Sequence, residues 1–94
     1  MITITRKRGD TRRLRFHTTF ALDGLSVAAA ARDSGGATRT LQAAVIDAPA
    51  RLYDLWGLEA LPVGRHAVDM RYERAGHIQR SETFFLQITE AMTP

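Results

Sequence analysis

The sequence contains no cysteine. This removes disulfides, thiolate zinc sites and thiol nucleophiles from consideration. At 94 residues, a chain without such staples must find stability in packing or in assembly with partners, which fits an intracellular assembly site. Long apolar runs are also missing: no stretch approaches the roughly 18 apolar residues of a membrane span. The opening MITITRKRGD places its charges after its apolar residues, the reverse of a secretory signal. The expectation is a soluble chain that does not enter a membrane. Aromatic residues make up 7% of the chain, with a single tryptophan, so an aromatic binding platform has few candidates.

What is present suits one packed domain, 1–94. Apolar residues contribute 45% and charged residues 24%, close to the average of soluble globular proteins. The net charge of +3 hides an asymmetry. Residues 1–15 carry Arg6, Lys7, Arg8, Arg12, Arg13 and Arg15 against Asp10, while the remaining residues sum to a negative charge. The basic character therefore belongs to one end of the chain.

Hydrophobic periodicity is that of strands. Ile2 and Ile4 alternate with Thr3 and Thr5, a period of two in β-branched residues. In RLRFHTTF, Leu14, Phe16, Thr18 and Phe20 share one face, with Arg13, Arg15, His17 and Thr19 on the other. Gly9-Asp10 and Asp23-Gly24 mark turns. LSVAAAARD is too short for a stable isolated helix and reads better as a strand with Leu25, Val27, Ala29 and Ala31 aligned. Another strand falls in 37–47, with Leu41, Ala43 and Val45 in step. In APARLYDLWGLEALPVG the leucines fit both helical and strand spacing, as a strand followed by a helical turn would. HAVDMRYER places His66, Val68, Met70 and Tyr72 on one face, and after Gly76 a final strand aligns Phe84, Leu86 and Ile88. Six or seven short strands separated by turn signals predict an all-β, immunoglobulin-like antiparallel β-sandwich, with 90–94 as a loose tail.

Catalytic chemistry has little to stand on. His17, His66 and His77 show no metal-ligand spacing, and a strand at 66–69 would put His66 and Asp69 on opposite faces. There is no nucleophile elbow, phosphate-binding glycine loop or carboxylate pair. Asp10 with Thr11 is a poor cation site beside so many positive charges. Tyr53 and Trp56 are expected in the core, where a lone tryptophan of a small β-domain usually sits. An enzyme, a cofactor and a small-molecule substrate are thus all disfavoured.

The stretch RKRGDTRR at 6–13 holds five cations and one acid. Clustered Lys and Arg attract phosphate, but interleaved aromatics and a recognition helix are absent, so nucleic acid is the weaker reading. An adhesion tripeptide, Arg8-Gly9-Asp10, is too short a signal to carry a function. Cations on a loop and edge strand also discourage uncontrolled strand pairing. The candidate partner-contact rim is therefore Arg6, Lys7, Arg8, Arg12, Arg13 and Arg15, facing solvent or an acidic neighbour.

The order of these signals resembles a known family. An opening Ile-x-Ile, then Arg-Gly-Asp-Thr, Leu14-x-Phe16, Asp23-Gly24, Leu61-Pro62-Val63-Gly64, Asp69, Gly76 and a closing Thr83-Phe84-x-Leu86-x-Ile88 are together similar to the small immunoglobulin-like domain of tailed-phage virion proteins. Its best known form heads baseplate upper and tail-fibre proteins. The resemblance spans nearly the whole chain and implies a non-enzymatic assembly or attachment module, carried by turn and fold-defining residues such as Gly9, Asp10, Gly64 and Asp69. His66 departs from it, standing where the family has an aromatic residue. The family domain usually heads a longer chain, whereas this sequence ends at Pro94, so the expectation is a stand-alone protein of the tail, baseplate or tail fibre. A capsid decoration protein is the alternative. Other virion proteins and copies of itself are the implied partners, and the virion, assembled in the host bacterial cytoplasm, is the implied location.

Overall fold

The computed structural model describes residues 2–81 and 83–92. Its strands are β1 (Thr3–Lys7), β2 (Leu14–His17), β3 (Ser26–Asp33), β4 (Thr38–Asp47), β5 (Leu52–Trp56), β6 (Gly64–Arg74), β7 (His77–Arg80) and β8 (Phe84–Thr89). They hydrogen-bond in the order β1-β8-β6-β3-β4-β5-β2, with β7 also on β6. The path curls because β4 is shared: its residues 38–41 pair with β3, and 42–47 pair with β5 across a register shift between Val45 and Asp47. A bulge of this kind bends a strand and increases its twist. The result is a sandwich-like all-β fold in which β1, β8, β6, β3 and the first half of β4 face β5, β2 and the second half of β4. Second strand beside fifth, and third beside sixth, is the immunoglobulin-type order.

Alternation along each strand explains the core. Leu14, Ala29, Ala31, Leu41, Tyr53, Leu55, Val68, Met70, Tyr72, Phe84, Leu86 and Ile88 are buried on inward faces, and Leu22, Leu58 and Leu61 plug the ends. Each large aliphatic residue in this set contributes about 1.5–3 kcal/mol through the apolar surface it removes from water. Alanines 29 and 31 lie in the middle of β3, between β4 and β6, where small side chains leave room for the residues opposite. The strand-then-turn reading of 48–64 holds: β5 is followed by a 3-10 turn at Leu58–Ala60, which buries Leu58.

Four sequence expectations need correction. Among the described residues the strands number eight, not six or seven, because the chain after Gly76 first forms β7, all four residues of which are exposed. Solvent-facing β7, with Ile78 as its single apolar residue, lacks the apolar alternation that marks a buried strand. The sheet is also not wholly antiparallel, since β1 runs parallel to β8. The loop of residues 8–13 carries the chain from one sheet to the other instead of closing a hairpin. Thr18 and Phe20 lie beyond the end of β2: the Thr18 hydroxyl donates to the Phe20 carbonyl at 2.7 Å and turns the chain, although Thr18 itself remains buried. Finally, Trp56 is not part of the buried core. It lies on the outward face of β5, half-buried. As for the expected tail, Thr93 and Pro94 are outside the described residues, while Met92 is exposed.

Candidate functional site

The basic rim divides into three groups. Arg6 shares the inward face of β1 with Ile4. It is half-buried, its Nη1 donates to the Thr5 carbonyl at 3.1 Å, and its buried Nε has no hydrogen-bond partner among the described residues. Lys7 ends β1 exposed, and Arg8 follows it, 3.6 Å from the Glu90 carboxylate. Both members of that pair are largely solvated, so it adds little stability.

Arg12 folds back on Asp10. Its Nε and Nη2 reach the carboxylate at 3.0 and 2.6 Å, and its backbone N–H donates to the same group at 3.0 Å. Hydrogen bonding by the Arg12 side chain, helped by that backbone N–H, holds the Asp10 carboxyl down at about 2. Gly9 takes a φ of 85°, a conformation costly for residues with a Cβ, and the Asp10 N–H closes the turn on the Lys7 carbonyl at 3.1 Å. The Arg-Gly-Asp tripeptide is therefore a corner whose acid is already occupied by Arg12 and whose Arg8 approaches Glu90.

Arg13 and Arg15 belong to a different surface, the outward face of the second sheet. The Thr18 N–H donates to the Arg51 carbonyl at 2.9 Å, which continues the β2–β5 register of Leu14↔Leu55 and Phe16↔Tyr53. Those are the hydrogen-bonded pairs. Arg15↔Asp54 and His17↔Leu52 are then the non-bonded pairs, whose side chains stand closer together. Arg15 forks onto Asp54 at 2.8 and 3.2 Å, and Arg13 lies 3.9 Å from the same carboxylate. The Arg13 guanidinium also covers the Trp56 ring at 4.3 Å, a cation–π contact. Asp54 is only 3% exposed beneath these side chains, and the Arg15 hydrogen bonds lower its pKa. The two arginines remain more than half exposed.

Behind β2, the sandwich gapes. On the β4 side the two sheets are continuous, but on the other side β1 and β2 do not pair. A cleft of about 410 Å³ opens there, lined by Ile4, Phe16, Phe20, Tyr53, Tyr72 and Phe84 among others. Phe16 stacks on Tyr53 with ring centroids 5.1 Å apart, and Phe20 meets Tyr72 edge-on at 5.2 Å. The Tyr53 and Tyr72 hydroxyls bond to each other at 2.9 Å. Burial pushes the Tyr53 phenol up, reinforced by that hydroxyl contact, so Tyr53 stays protonated.

Tyr53 and Trp56 therefore point to opposite faces of β5 and make no common aromatic platform. Sequence reasoning missed the Arg13–Trp56–Asp54–Arg15 cluster because it treated the loop and edge-strand cations as one continuous rim. Alternation in LYDLW was the available signal: with Tyr53 and Leu55 inward, Asp54 and Trp56 must face out. The histidines are also dispersed. His66 is buried with Nε2 donating to the Pro62 carbonyl at 2.9 Å, while His17 and His77 are exposed on separate strands. Among the described residues, no three metal-ligating side chains converge.

No protein-family model matches this chain, and a search of curated proteins returns no match.

Proposed function

We propose that this protein is a non-enzymatic structural module of a tailed-phage virion, an assembly or attachment piece of the tail, baseplate or tail fibre, with capsid decoration as the alternative position. The observation that supports this most is the immunoglobulin-type sandwich that leaves β1 and β2 each paired on one side only, joined to the order of turn and strand signals described for the sequence. Free edges admit strand addition by a neighbour. In a symmetric particle, repetition makes weak individual contacts sufficient. Its cationic edge suits an acidic protein neighbour better than nucleic acid, because Trp56, the aromatic residue beside it, is covered by Arg13 instead of offering a face on which a base could stack.

Quantitative mass spectrometry of particles purified from a lysate that produces the protein tests the proposal. Stoichiometric presence in the particle is expected, and absence from it overturns the reading. Binding to duplex or single-stranded DNA at low salt, weakening steeply as salt rises, would replace it with a nucleic-acid role.

A further inference from the structure

Register decides which backbone groups of β2 are free. Leu14 and Phe16 spend theirs on β5, so Arg15 and His17 turn their N–H and C=O groups away from it, toward the unpaired edge. The aromatic cleft lies directly behind that edge, lined by Phe16 of β2 itself and by Ile4 of β1.

We propose that the free edge of β2 and the cleft behind it take up an extended segment of a partner protein in which apolar and acidic residues alternate. Added as a strand along β2, such a segment sends every second side chain into the cleft beside Phe16 and the others onto the outward face beside Arg13, Arg15 and His17. Charge complementarity identifies the outward residues as Asp or Glu. At the β2 edge Arg13 and Arg15 share the single carboxylate of Asp54, so one positive charge is left over where the added strand would lie. Opposite charges across neighbouring strands are favourable and like charges are not. A second copy of this chain fits poorly, since its exposed strand β7 brings His77 and Arg80. The inference rests on the assembly reading for its setting, while its chemistry comes from the edge itself.

The test uses the full-length, nitrogen-15-labelled protein and three synthetic peptides: alternating valine and glutamate, alternating valine and lysine, and a block peptide with the composition of the first. The glutamate peptide is expected to shift and protect the Arg15 and His17 amides. The lysine peptide should bind at least about tenfold more weakly, through like charges directly opposite Arg13 and Arg15. His17→Pro should abolish binding while the protein stays folded, because it deletes an edge-facing N–H that β5 does not use. Arg13→Gln, at an exposed position, should weaken binding severalfold and serves if the proline variant does not fold. No binding of the glutamate peptide at millimolar concentration, equal binding of the block peptide, or unchanged binding by Arg13→Gln each overturns the inference. Particles that contain the protein, combined with a protein indifferent to the alternating peptide, remove this inference and leave the assembly reading intact; capture of the peptide by a protein absent from particles does the reverse.

Discussion

Tyr53 and Asp54 are adjacent on β5, yet one belongs to the core and the other to the outward surface. Tyr53 places a hydroxyl between the sheets, where its bond to Tyr72 at 2.9 Å links β5 to β6 across the sandwich. Tyr53→Phe keeps the ring stacked on Phe16 and removes only that bond, so a loss of about 1 kcal/mol is expected. For a domain of this size the corresponding fall in Tm is about 4–8 °C, measurable by thermal denaturation. Tyr72→Phe should cost a similar amount. Removing both hydroxyls should cost less than the two single losses together, because neither partner is then left unsatisfied. Full additivity would show that the two hydroxyls do not depend on each other.

At the scale of elements, the β6–β7 hairpin shows how the chain adjusts its own turns. Arg74 pairs with His77, leaving Ala75 and Gly76 as a two-residue loop with φ of 50° and 83°. Two successive positive φ values define the turn that best matches strand twist, and asparagine followed by glycine is its preferred sequence. Alanine at the first position carries a Cβ penalty that asparagine tolerates better. Ala75→Asn should therefore stabilise the protein by up to about 1 kcal/mol, seen as a higher urea midpoint with an unchanged slope. A lower midpoint would contradict the turn assignment. The same hairpin marks the limit of what the sequence discloses. Strands with one buried face, such as HAVDMRYER, betray themselves by alternation, which is why the core faces of β3, β6 and β8 were legible. His77–Arg80 buries nothing and so leaves no periodic trace. The parallel β1–β8 pair and the split of the basic rim were illegible for another reason. Both depend on which sheet the chain enters after Lys7, and local spacing contains no record of long-range pairing.

For the whole molecule, the carboxylates that sit under arginines or accept backbone N–H groups set the response to acid. Asp54 beneath Arg15, Asp10 against Arg12, and Asp33, which accepts the Ala37 N–H and Arg39, all have pKa values below the ordinary 3.8. A carboxyl whose pKa is lower in the folded chain than in the unfolded one stabilises the fold above the unfolded value and loses that contribution as pH falls through the folded value. Stability is therefore expected to be level with respect to these groups from neutrality down to about pH 5, and to decline progressively from about pH 4 toward pH 2. Thermal melts at fixed ionic strength across this range would follow the decline. The loss of these attractions also leaves the cations of residues 6–15 unscreened by their nearest acids, so the cationic end should drive unfolding harder as Asp10 and Asp54 protonate. Added salt weakens that repulsion and should raise Tm more at pH 3 than at pH 7. Asp54→Asn tests the assignment at its least exposed member: the variant should melt lower than the parent at pH 7 and show a shallower decline below pH 4, the two curves converging as the parent's own Asp54 takes up its proton. Parallel curves with a constant offset would mean that Asp54 has the same pKa folded and unfolded, and that its charged form stabilises the fold no more than its protonated form.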